Sequence, residues 1–106
     1  MSSLAPTLQA FFTDRLGQRQ VSGHTIAAYR DTLKLLLVFA ARRTGKTPSE
    51  LDVADLDAPL IGAFLHHLQV ERGNSARTRN TRLAAIHSLF GYAALSEASD
   101  NAAYLQ

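Results

Sequence analysis

The chain has 106 residues, no cysteine and a formal net charge of +2. That length suits one domain able to bury a core without covalent staples, and the missing thiols exclude disulfide frameworks and thiolate metal sites and fit a reducing, cytoplasmic setting. The longest apolar run, Leu35 to Ala41, is far too short to span a bilayer, and no N-terminal stretch has the form of a signal peptide.

Apolar spacing reads as helix throughout, with no sustained alternation of period two. A first helix is predicted from about Pro6 to Arg19, its buried stripe formed by Leu8, Phe11, Phe12 and Leu16. Pro6 suits a first turn, where its missing N–H costs nothing. The second helix is predicted from Ser22, an N-cap, to Thr44, with Gly45 as its left-handed stop. Its inward face holds Ile26, Tyr29, Leu33, Leu36, Leu37 and Ala40. Leu35, Val38 and Phe39 add apolar surface around the later turns, so this helix is either central or meets a partner. From Lys46 to Ala58 the chain connects, with Thr47-Pro48 opening one short turn, Pro48 to Leu51.

Asp57 then caps a third helix that ends near Arg72 at Gly73, with Ile61, Phe64, Leu65 and Leu68 inward. Ser75 caps a fourth that reaches about Leu95, with Leu83, Ile86, Phe90 and Ala93 inward. The tail, Ser96 to Gln106, reads two ways. Asp100 can cap the start of a fifth helix, but fewer than two turns would follow.

Charge is blocked along the chain. Seven bases precede Thr47 against Asp14 and Asp31; only acids occupy Thr47 to Glu71; only bases (Arg72, Arg77, Arg79, Arg82) occupy Arg72 to Leu95. A fold that joins the first and third blocks presents a basic face, the electrostatic footprint of a nucleic-acid binder.

The second and fourth helices open alike, on Ser22-Gly23-His24-Thr25 and Ser75-Ala76-Arg77-Thr78. A helix start carries free N–H groups and partial positive charge, which attract phosphate. A basic residue and a hydroxyl in the first turn add donors. A serine N-cap alone is the commonest way to begin any helix, so each motif singly is structural. Behind these starts the outward faces are small and polar: His24, Ala27, Ala28 and Asp31 on the second helix, Arg77, Thr81, Ala84, Ala85 and Ser88 on the fourth. Such surfaces fit a major groove without steric conflict. Arg82 flanks this face within reach of a phosphate, whereas Arg79 falls on the apolar stripe.

No catalytic arrangement emerges, neither a glycine-rich phosphate loop nor a serine elbow. Asp52, Asp55 and Asp57 lack the spacing of a calcium loop. His24, His66, His67 and His87 include no i, i+4 pair for zinc. No cofactor or metal is expected.

Taken in order, these segments resemble the core-binding domain of tyrosine recombinases of the phage-integrase type. Ser22 to Leu33 (SGHTIAAYRDTL) is similar to the signature S-x-x-T-hydrophobic-x-x-Y-R-x-x-L. Ser75-Ala76-Arg77-Thr78, with Arg82 to Ile86 and Leu89 to Tyr92, resembles a second signature. Ala63 to Leu68 through Arg72-Gly73 resembles the third-helix pattern. Arg79 departs from the family, which has an apolar residue there. The resemblance implies an all-α, SAM-like, four-helix orthogonal bundle. It also implies DNA binding by one half of a clamp on a recombination half-site, with other recombinase protomers as partners on the DNA. Carried over by position, the DNA contacts are His24, Thr25, Ala27, Ala28, Arg77, Thr78, Thr81, Arg82 and Ala85.

The family's active site, with its Arg, Lys, His and nucleophilic Tyr residues, lies on a separate domain. No His-x-x-Arg occurs here, and Tyr29 and Tyr92 match binding-domain positions. The chain is therefore expected to be a single DNA-binding domain, residues 1–106, without catalysis of its own, cut from a longer recombinase. A helical protein-interaction domain of SAM or death-domain type is the rival reading, resting on Leu35, Val38 and Phe39.

Overall fold

Two residues bracket the central helix. Ser22 lies in extended backbone, and its Oγ accepts from the N–H of Thr25 at 3.2 Å. Gly45 takes φ 74°, a left-handed conformation, and its N–H donates to the carbonyl of Ala41. Between them runs α2, Gly23–Thr44, as its spacing predicts. The protein, a computed structural model that describes residues 3–16 and 22–105, holds three more α-helices among those residues. They are α1 (Leu4–Ala10), α3 (Ala58–Val70) and α4 (Ala76–Leu105). No strand forms among the described residues, and the fold is all-α.

The first helix begins earlier than Pro6. Ser3 caps it, and the Leu4 N–H donates to the Leu51 carbonyl at 2.8 Å, which ties the start to the connector. Pro6 still falls in the first turn, where an N–H has no intrahelical acceptor. From Phe11 to Leu16 the helix widens into a π turn. Bonding five residues back swings positions five apart toward one side. Phe11 and Leu16, five apart, are both buried, while Leu8 and Phe12 are packed at the core edge. The expected continuation to Arg19 lies outside the described residues.

The connector holds two short turns where the sequence reading gave one. Pro48–Glu50 is followed by Val53–Asp55. In the first, the Thr47 N–H and hydroxyl both donate to the Glu50 carboxylate. In the second, the Asp52 N–H donates to the Asp55 carboxylate at 2.8 Å, and Lys46 Nζ reaches both oxygens of that carboxylate at 2.9 Å. These turns aim Leu51 and Leu56 into the core, under α1, α2 and α3.

Asp57 caps α3 through the N–H of Leu60, at 2.9 Å. Leu60, Phe64, Leu65 and Leu68 are buried, whereas Ile61, predicted inward, is only partly so. After α3, Gly73 takes φ 65° and the Asn74 side chain donates to the Leu68 carbonyl.

Helix α4 corrects two expectations. It runs unbroken to Leu105, so no separate fifth helix starts at Asp100. No glycine or proline follows Gly91, so nothing in the chain stops it. Its buried positions are Ala85, Ile86, Leu89 and Ala93, while Leu83 and Phe90 are only partly covered. The inward stripe is therefore turned by about one residue from the predicted one.

Two predictions follow from local chemistry. At Gly45 a methyl group would meet nothing within 4 Å, so Gly45→Ala costs only the left-handed backbone. A loss of about 1 kcal/mol is expected in urea unfolding; no change would mean that the α2 stop does not depend on φ. The Asp55 carboxyl is held below its ordinary value of 3.8 by the Asp52 N–H first and the Lys46 ammonium second. A depressed acid contributes stability that is present above its unfolded value and lost as pH falls through its folded one. The melting temperature of Asp55→Asn should therefore lie below that of the native protein at pH 6. The gap should close as pH drops below 3.8.

Candidate nucleic-acid interface

The two Ser-x-basic-Thr segments form the same local structure. Ser75 Oγ accepts from the Thr78 N–H at 3.2 Å, as Ser22 Oγ does from Thr25. Each serine hydroxyl also bonds the threonine hydroxyl three residues on, at 2.9 Å in α2 and 3.1 Å in α4. One of the free donors at each start is thereby satisfied. The N–H groups of Gly23 and His24, and of Ala76 and Arg77, stay without an intrahelical acceptor. His24 and Arg77, the basic residues of the first turns, are both exposed.

The two helices meet close to these starts. A groove of about 230 Å³ between them is lined by Ala28, Asp31 and Thr32 from α2 and by Arg77, Thr78, Thr81 and Arg82 from α4. The start of α4 thus sits beside the second and third turns of α2. Ala28 lies five residues beyond Gly23, about 7.5 Å along the helix axis. His24, Thr25 and Ala27 occupy the preceding turns of α2 and do not line the groove. Ala27, Ala28 and Thr81 are exposed; Thr25 and Thr78 are half-buried.

Two residues depart from their expected places. Ala85 has 0 % exposure and belongs to the core, so it offers DNA no surface. Alanine is small enough for either side of a helix, and its spacing alone does not assign it. Arg82 is turned inward as well. Its side chain is only 16 % exposed, and Nη1 donates to Asp31 Oδ2 at 3.1 Å and to Thr32 Oγ1 at 3.2 Å. Thr32, itself buried, donates onward to the Ala28 carbonyl at 2.9 Å. Arg82 therefore joins α4 to α2 across fifty positions of sequence. Its Nε is buried without a partner among the described residues.

Sequence reasoning placed Asp31 on this face but gave it no role. The signal available was its place seven residues after His24, on the same side of α2. The Tyr92 hydroxyl donates to Asp14 at 3.2 Å, and its ring lies 5.7 Å from that of Phe11. Arg30 stands over the ring of Phe12. Among the described residues no cluster of three or more metal-ligating side chains forms, and no helix is long and apolar enough to cross a membrane.

A second groove, of about 510 Å³, opens between the later half of α2 and α3. Leu35, Val38 and Phe39 all line it. Phe39 packs on Phe64 and on His67, and Leu35 is packed against the core, whereas Val38 is 50 % exposed. The apolar excess of α2 is thus mostly absorbed by α3.

Comparison with known proteins matches this sequence to a family. The model for the phage integrase N-terminal SAM-like domain covers residues 8–97. Two proteins of Sinorhizobium fredii named integrase/recombinase, y4rC and y4rD, share 54 % identity over 99 % of this chain and 46 % over 89 % of it. Tyrosine recombinase XerC of Pseudomonas fluorescens shares 32 % over 80 %. The chain spans 32 %, 34 % and 26 % of the lengths of these three relatives, between a quarter and about a third of each. No solved structure matches it. With most of its length covered by the one family model, the chain belongs to the phage integrase N-terminal SAM-like domains.

Proposed function

We propose that this domain grips duplex DNA through the adjoining faces of α2 and α4 and positions a tyrosine recombinase on its recombination half-site. The observation that carries the reading is the groove between the two helices, where Ala28 meets Arg77, Thr78 and Thr81. His24 and Arg77 supply charge, the four free N–H groups of the two helix starts supply fixed dipoles, and Ala27 and Ala28 leave room for the sugar-phosphate backbone. Thr25 and Thr78 add hydroxyls, and Thr81, whose own hydroxyl donates to the Arg77 carbonyl, lines the groove beside them. Arg82 lines the same groove, paired there with Asp31, and Ala85 has no part in contact. Phosphate contacts of this kind give sequence-independent, salt-sensitive affinity.

Strand cleavage and rejoining are assigned to the parts of the recombinase that this chain does not span, as is assembly with other protomers on DNA. The domain acts where the DNA lies, in the cytoplasm of a bacterium. The protein-docking reading retains one exposed residue of its three, Val38, and is the weaker.

The test is a salt titration of binding to a labelled duplex, read by fluorescence anisotropy. The native domain is expected to lose affinity steeply with salt. Arg77→Ala, which changes an exposed side chain, should weaken binding, make the slope of log K against log salt shallower by about 0.9 and leave the melting temperature unmoved. An unchanged slope would remove Arg77 from the interface. No binding at low salt would overturn the reading.

A further inference from the structure

Among the residues that line the α2–α4 groove, Asp31 is the sole acid. A carboxylate on a face that meets phosphate is repulsive, and it needs a reason. Asp31 is 63 % exposed in its side chain, while the Arg82 guanidinium that it holds is 16 % exposed. The cation of the pair is fixed in the protein and its anion stands in solvent. Arg82 spends one nitrogen on both of its bonds to α2, and its Nε–H has no acceptor among the described residues. The other groups facing this guanidinium are the Thr32 hydroxyl, which accepts from it and donates to the Ala28 carbonyl, and, around the groove, Arg77, Thr78 and Thr81, none of them acidic.

We propose that Asp31 is a brake on backbone affinity: its carboxylate occupies, on Arg82, the place that a DNA phosphate takes when the duplex seats in the groove. This rests on the DNA-gripping reading and adds how that grip is limited. An ion pair whose acid stands in solvent is screened on that side, so a phosphate that also engages Arg77 and Thr78 can replace the carboxylate. Away from such a fit Asp31 keeps Arg82 neutralised, and loosely placed duplex gains nothing from it. Thr32 keeps its bond to the guanidinium in both states, so the cation stays aimed while its anion changes.

The experiment compares native protein, Asp31→Asn, Arg82→Gln and the double variant in the same salt titration. Asp31→Asn is expected to bind roughly two- to fivefold tighter, the size of one exposed charge interaction. In the Arg82→Gln background the gain should vanish. Weaker or equal binding by Asp31→Asn makes Asp31 a support for Arg82 and overturns the brake. A gain that persists without Arg82 shows plain repulsion and also overturns it. In both cases native binding leaves the DNA reading standing; absence of binding by every variant removes both. Should Arg82→Gln not fold, the Arg82 Nε–H cross-peak in NMR decides during titration with the same duplex. Saturation at lower duplex concentration in Asp31→Asn than in native protein supports the brake. A peak that stays still in both overturns it.

Discussion

Arg82 ties the start of α4 to the third turn of α2, and the spacing of the two helices at their functional end depends on that tie. Hydrophobic burial holds the rest of the helix pair, through Leu33, Leu36, Ile86 and Leu89. Burial is non-directional and tolerates small slides of one helix along another. A guanidinium shared between Asp31 and the buried hydroxyl of Thr32 does not, because its donors have fixed directions. Thr32 is the only buried polar residue among the described residues, and its hydroxyl is satisfied on both sides. A polar contact at that point adds little net stability, yet it specifies which turn of α2 faces which turn of α4.

The opposite end of the molecule solves a different problem. The chain must pass from the end of α2 to the start of α3 while closing the core from below. It does so with two short turns, each of which bonds a carboxylate to a backbone N–H three residues earlier. Leu51 and Leu56, projecting from them, are both buried in the core, and the Leu51 carbonyl also receives the first N–H of α1. The segment is a loop by its backbone and a core layer by its side chains.

Legibility in the sequence followed the strength of local chemical signals. Both ends of α2 were readable because Ser22 and Gly45 each satisfy a terminal backbone group that no neighbour can. The start of α3 was readable for the same reason, from Asp57 and Pro59. The end of α4 was not, since no stop exists there: the helix was expected to end at about Leu95, with the tail left open, and it continues to Leu105. Its phase was misjudged because alanine occupies both sides of it, so Ala85 read as surface and lies in the core. The second connector turn was within reach: Asp52 and Asp55 stand at the cap spacing, and they were weighed only as calcium ligands. The Arg82–Asp31 tie was beyond reach, because it joins residues fifty-one apart whose meeting depends on the packed angle of two helices.

Charge placement explains how a chain with a net charge of only +2 can present a basic face. Four of the five acids of residues 47–71 are committed to the scaffold. Glu50 is bonded by Thr47, Asp55 by Asp52 and Lys46, Asp57 by Leu60, and Glu71 by His67. Charges separated by more than a Debye length, about 10 Å at 0.1 M salt, scarcely feel one another. What an approaching phosphate meets is therefore set by the groove itself, where Arg77 is exposed and the one acid is already paired. Net charge averages over distances at which salt has erased the interaction; the local balance of one acid against two arginines is the quantity that would govern the proposed grip.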